Sequence, residues 1–184
     1  MAELFIELFS EEIPSKLQIN AREKIKQAIE ERLNKKEIKF NSSRSFSTPQ
    51  RLVFVIDGIS EKIIQKQKVI KGPKAGAPQA AIDGFIKSNN LNKSDIYKKN
   101  IEKGEFYFAK TKLKVVNILE ELKSIIPETL RDYSWKKSMK WSNHDLSWGR
   151  PLKSIIALLD NKVINFNFFH LQSTNLTSID ETDE

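Results

Sequence analysis

The sequence predicts an α+β fold, with a mixed, largely antiparallel sheet and a few packed helices. Three observations carry this. Two stretches, Leu17 to Leu33 and Ile118 to Leu130, space their apolar residues by three and four, as amphipathic helices do. Several shorter segments alternate apolar with polar residues, or form brief apolar runs bounded by turn residues, as strands do. The two patterns follow one another without the regular alternation that a parallel βαβ sheet requires.

The elements follow in order. Leu4 to Phe9 is a short apolar run flanked by carboxylates and reads as a buried strand. Pro14 then stands where a helix starts, since its missing N–H costs nothing in the first turn. Leu17, Ala21, Ile25, Ala28, Ile29 and Leu33 form one apolar stripe, with Lys and Glu opposite. Ile38, Phe40, Ser42, Arg44 and Phe46 share one side of an alternating stretch. Ser47-Thr48-Pro49-Gln50 breaks it and Leu52 to Ile56 resumes, which predicts an antiparallel pair. Glu61 to Ile70 is an extended segment ending in Lys71-Gly72-Pro73, and the Gly- and Pro-rich chain to Pro78 is a loop, with a sub-boundary near 71–80.

Gln79 to Ser88 predicts a short helix with Ile82, Phe85 and Ile86 on its apolar face. Leu91 to Asn100 is polar and reads as a turn of helix plus a connection; Glu105 to Lys110 favours a strand. Pro127 lies inside the second long helical pattern and predicts a kink or a division into two helices. Ser134 to Trp148 holds three Trp and three Lys with few aliphatic residues. A hairpin closes the pattern: Leu152 to Leu159, the turn Asp160-Asn161, then Lys162 to Phe169. Residues 1–177 thus read as one α+β region, and the polar tail 178–184 is expected to fray.

Composition excludes several classes of function. The hydrophobic fraction of 39% and charged fraction of 30% over 184 residues describe a globular chain with a sizeable core. The absence of Cys removes disulfides, thiolate metal sites and a Cys nucleophile together. No apolar run approaches the ~20 residues that span a bilayer, and the N-terminal residues lack a basic-then-apolar leader pattern, so a cytoplasmic protein without membrane contact is expected. The net charge of +7 invites a polyanion. Much of the excess is Lys in a chain also rich in Ile and Asn, residues encoded by AT-rich codons, so the charge permits RNA binding without establishing it.

The two histidines, His144 and His170, lie far apart in sequence and without a metal-ligand spacing, so no metal site is expected. His144 adjoins Asp145, but no Gly-x-Ser-x-Gly elbow accompanies them. The Lys71 to Pro78 loop lacks the Gly-Lys-Ser/Thr ending of a phosphate cradle, and its prolines remove donors. Glu11 and Glu12 are adjacent and do not converge on one substrate; the helix start near Pro14 accounts for them better. No catalytic residue is predicted. Lys136-Lys137-Ser138-Met139-Lys140-Trp141, followed by Trp148-Gly149-Arg150-Pro151, is the best candidate for a functional segment. Its cations suit phosphates and its tryptophans suit either stacking on bases or packing of the domain.

Taken in order, these segments resemble a family. Ser10-Glu11-Glu12-Ile13-Pro14 is similar to the Thr-Glu-Glu-Leu-Pro opening of bacterial glycyl-tRNA synthetase β subunits. Thr48-Pro49-Gln50-Arg51-Leu52 resembles their Thr-Pro-Arg-Arg-Leu, with Gln50 replacing an Arg. Lys71-Gly72-Pro73, then Ala81 with Gly84-Phe85, and then Lys103-Gly104-Glu105 fit the following blocks. Lys137-Ser138-Met139-Lys140-Trp141 resembles Lys-Ser-Met-Arg-Trp, and Arg150-Pro151 an Arg-Pro pair. The resemblance implies the N-terminal portion of a non-catalytic β subunit in an α2β2 tetramer that attaches glycine to tRNA(Gly). The α subunit would hold ATP with Mg and form the adenylate, while this chain needs no cofactor. It departs after Thr177, where Ser178-Ile179-Asp180-Glu181 stands in place of the usual Gly-His-Arg-Phe, and the family's anticodon-binding region lies far beyond. Arg51, Lys71, Lys140 and Arg150, charged members of these blocks, are the expected RNA or subunit contacts. Two alternatives stay open: a domain that docks the α subunit without touching RNA, and a free-standing RNA-binding module.

Overall fold

A computed structural model of the chain describes residues 1–60, 62–64, 69–101, 104–110 and 115–177. The order is β1 (Ala2–Ser10), α1 (Ser15–Lys35), β2 (Ser42–Ser47), β3 (Arg51–Ile59), β4 (Lys62–Ile64), β5 (Val69–Lys74), α2 (Gln79–Ser88), β6 (Ile96–Ile101), β7 (Gly104–Lys110), β8 (Val115–Asn117), α3 (Ile118–Asp132), β9 (Leu152–Leu159), β10 (Lys162–Val163), β11 (Asn167–Phe168) and β12 (Leu171–Thr174). The fold is α+β. Two compact units divide it: one takes Met1–Ile63 and the chain from Val116 onward, the other Ile64–Val115.

The larger unit is built on a mixed sheet of strand order β11-β12-β9-β1-β3-β2, with β10 also on β9. The predicted buried strand is its centre: β1 runs antiparallel to both β3 and β9, with Leu8 opposite Leu52 on one side and Ile155 on the other. Alternation puts Leu4, Ile6 and Leu8 on one face with Leu52, Phe54 and Ile56 and with Ile155, Ala157 and Leu159. Ala21, Ile25, Ile29 and Leu33 of α1 and Leu122, Ile126 and Leu130 of α3 complete that core. Phe5, Glu7 and Phe9 point to the opposite face, in rows with Val55, Val53 and Arg51 of β3.

Three expectations change in detail. The side of β2 that carries Arg44 and Phe46 is the outer one; Ser43 and Ser45 face α1, where their hydroxyls donate to Glu30 and to Glu23 (3.0 Å). β2 is an edge strand, and its inner row meets the polar flank of the helix rather than the core. α3 is one element through Pro127, so the division into two helices does not occur; Ile125, Ile126, Pro127 and Leu130 are all buried, packing that offsets the ~3 kcal/mol cost of an interior proline. The closing hairpin is short: after Val163 the ladder ends, and β12 returns parallel to β9. Ser173 ties the intervening chain, its hydroxyl accepting from the Phe166 N–H (2.9 Å) and donating to the Ile164 carbonyl (2.7 Å).

The smaller unit is a three-stranded antiparallel sheet, order β5-β7-β6, with α2 against β5. Lys71-Gly72-Pro73 lies within β5 rather than after it, at an irregularity where the register slips between Lys71 and Lys74. A bulge is where a strand tolerates Pro. The polar stretch read as a connection supplies β6, because Lys98, Lys99 and Asn100 pair with β7 and need no apolar side chains. No helix among the described residues is long and apolar enough to cross a membrane. The predicted polar tail, 178–184, lies outside the described residues.

Candidate nucleic-acid interface

The connection from α3 to β9 is anchored by aromatic packing. Trp135 is 7% and Trp148 1% exposed. Their rings meet edge to face at 5.1 Å, Tyr133 stands edge-on to Trp135 at 5.1 Å, and Phe168 edge-on to Trp148 at 5.8 Å. Neither indole N–H has a hydrogen-bond partner among the described residues, so both rings serve as apolar bulk. Met139 and Trp148 exchange two backbone hydrogen bonds (2.8 and 3.1 Å), which draws the connection into a loop.

That loop projects Lys136, Lys137 and Lys140 into solvent, and none of the three has an ion-pair partner among the described residues. Some cations elsewhere in the larger unit are paired with carboxylates. Arg32 pairs with Glu128 (3.1 Å) and Asp132, Lys36 with Glu121 (2.9 Å), Arg44 with Asp57 (3.0 Å) and Lys153 with Glu11 (2.8 Å). Glu11 therefore answers a lysine on β9 rather than the α1 dipole.

The four predicted contacts fall into different settings. Lys140 is exposed on the loop. Arg150, half-buried beyond the Met139–Trp148 bridge, donates to the Gly149 carbonyl (2.9 Å). Arg51 stands on the outer face of the sheet, its guanidinium 4.4 Å from the centre of the Phe9 ring and its Nε 3.6 Å from Glu7. Glu7 also accepts from the Thr177 hydroxyl (2.6 Å). Lys71 belongs to the smaller unit, with its ammonium 3.8 Å from the centre of the Phe106 ring. Lys140 and Arg150 share one connection; Arg51 is on the sheet.

Folding also joins the two histidines, which sequence separation had set apart. His144 and His170 stack face to face, ring centres 3.5 Å apart and 5° from parallel. Trp141 stands edge-on to both, at 6.4 and 6.0 Å. His170 protonates below its ordinary range, because partial desolvation and then the charge of a protonated His144 both oppose the imidazolium. No signal in the sequence gave this pairing, since His170 reaches it from the tip of the β11–β12 turn. No group of three or more His, Cys, Asp or Glu among the described residues is placed to hold a metal.

Comparison with known proteins decides the family. The family model described as glycyl-tRNA synthetase beta subunit matches residues 4–182. The chain belongs to that family. The glycine–tRNA ligase beta subunit of Rickettsia bellii (strain OSU 85-389) is 37% identical over 177 residues, 96% of this chain and 27% of that protein. Those of Cereibacter sphaeroides (strain ATCC 17023) and Paracoccus denitrificans (strain Pd 1222) are 38% and 36% identical over 162 residues, 88% of this chain and 23% and 24% of theirs. The chain thus spans about a quarter of the length of the curated relatives it matches.

The blocks that resemble the family meet in space. In the larger unit the Ser10 N–H donates to the Gln50 carbonyl (2.8 Å), the Ile13 N–H to Pro49 (2.7 Å) and the Glu11 N–H to Pro151 (2.9 Å). Three glycyl-tRNA synthetase beta subunit blocks thereby close one end of the sheet. In the smaller unit a Cβ on Gly72 would lie 2.8 Å from the Phe85 ring, so the 71–73 and 84–85 blocks touch. The Ala75 N–H donates to the Glu105 carbonyl (2.9 Å), which brings the next block alongside; Lys103 lies outside the described residues.

Proposed function

We propose that this chain is the N-terminal region of a glycine–tRNA ligase β subunit that supports ATP-dependent attachment of glycine to tRNA through RNA and subunit contacts, without forming the adenylate itself. In this reading an α subunit supplies the ATP and glycine sites, and the assembly is an α2β2 tetramer. The observation that carries the RNA contact is the Lys136–Lys140 loop: three exposed ammonium groups without carboxylate partners among the described residues, on a segment held by buried Trp135 and Trp148. Unpaired cations on a held loop gain most from phosphates, because no ion pair must first be broken and little loop entropy is lost. Arg51 and Lys71, each already set against an aromatic ring, hold the fold together and contact RNA less.

The test replaces Lys136, Lys137 and Lys140 by Gln in the full-length β subunit within the tetramer. Affinity for tRNA is expected to fall, and the slope of its logarithm against log salt to flatten by about two, from three lost phosphate contacts at ~0.7–0.9 each. Glycine-dependent ATP–pyrophosphate exchange should stay unchanged. Unaltered tRNA affinity and slope would remove the RNA contact and favour the α-docking reading. That second reading draws on the outer face of the sheet, where Phe46 is 50% exposed.

A further inference from the structure

The Lys136–Lys140 loop leads directly into the ring cluster, and the geometry points to its use. We propose that Trp141, His144 and His170 form a stacking platform for one unpaired base of the RNA. The inference rests on reading the lysine loop as RNA-facing. The parallel rings of His144 and His170, 3.5 Å apart, already constitute a two-layer stack with the face-to-face contact of neighbouring bases. Trp141 closes one side edge-on and is itself packed against the core, so the stack has a fixed wall. His170 is exposed, and a base extends the stack on its side.

The backbone is bent to present these rings. Phe169, beside His170 in a two-residue turn, has φ 54°, and Ser142, between Trp141 and His144, has φ 51°. A left-handed conformation is unusual for a bulky aromatic, and Phe169 holds it while 46% exposed. Burial does not explain that placement. The partner follows from charge: a stacking surface that follows Lys136, Lys137 and Lys140 in the chain, exposed and without ion-pair partners among the described residues, suits a π-faced polyanion, hence a nucleotide outside a duplex, whose base faces are free. A helical RNA segment offers phosphates to the lysines but no open base face to the rings.

The experiment uses the tetramer with full-length β subunit and two probes, a short unstructured ribo-oligonucleotide and a blunt RNA duplex of equal length. His170 sits at an exposed turn, so His170→Ala should fold. It is expected to weaken oligonucleotide binding roughly tenfold, the loss of one stacked base, with duplex binding and the salt slope unchanged. His170→Phe should restore it. Equal oligonucleotide affinity for wild type and His170→Ala overturns the platform, as does equal weakening on both probes. If the lysine variant flattens the salt slope while His170→Ala has no effect, the platform fails and the phosphate contact stands. If neither variant has an effect, both fail.

Discussion

Gly149 has no room for a side chain: a Cβ there would lie 2.4 Å from the Trp135 ring, which is itself locked against Trp148. One missing methyl thus lets the connection close over the tryptophans and hold Lys136 to Lys140 outside. His170 is a second residue whose behaviour its neighbours set. Its imidazole is biased to the neutral form by partial desolvation and by His144, so its folded pKa lies below the ordinary value of about 6.5. The unfolded chain then binds the proton more readily. The resulting contribution to stability is complete above pH about 6.5 and is lost as pH falls through the folded value. NMR titration should place the His170 midpoint below that of an unstructured histidine, and His144→Gln should move it upward. A midpoint at or above the ordinary value would dissolve the coupled pair. Nothing in the sequence exposes this, because the contact depends on where the β11–β12 turn falls, a turn held by the pairing of β11 with β12 and by the contacts of Ser173 with Ile164 and Phe166.

At the scale of elements, α1 and α3 meet through two kinds of contact of unequal weight. Ile25, Ile29 and Leu33 share a buried core with Leu122, Ile126 and Leu130, while Arg32 bridges Glu128 and Asp132 at the surface. Ile29→Ala is expected to cost about 2–5 kcal/mol by denaturant unfolding, through lost burial and a cavity. Arg32→Gln should cost under ~1 kcal/mol, because exposed ion pairs are screened. Comparable losses in the two variants would mean that the charged fork, not the core, joins the helices. These helices were legible, since their stripes of three and four record the burial that forms them. The strand β1 was legible as an apolar run between carboxylates. β6 and the inner face of β2 were not: Lys98 to Asn100 enter a ladder without apolar side chains, Lys98 reaching Glu105 of β7 at 3.8 Å, and the Ser43 and Ser45 hydroxyls bond to α1. Periodicity reports what is apolar, so edge strands satisfied by polar partners escape it.

Over the whole molecule, the family blocks behave as joints rather than as a dispersed active site. Ser10 to Pro14, Thr48 to Leu52 and Arg150-Pro151 are tied by main-chain bonds at one end of the large sheet, and Gly72, Phe85 and Glu105 mark the meeting of three blocks in the smaller unit. At Gln50 the joint uses the main-chain carbonyl, which accepts from the Ser10 N–H. A pattern kept by backbone geometry was readable from sequence, yet it says how the chain closes and not what it catalyses. Among the described residues no group of three or more His, Cys, Asp or Glu is placed to hold a metal, and the cations Arg51 and Lys71 rest on aromatic rings. Adenylate formation needs converging groups around ATP and glycine. On the proposed reading, in which a partner holds those groups, the isolated chain gives no glycine-dependent ATP–pyrophosphate exchange above background, and the assembly with full-length β subunit gives it. Exchange by the chain alone, proportional to its concentration and abolished by omitting glycine, would return the chemistry to these residues and overturn the proposal that a partner holds it.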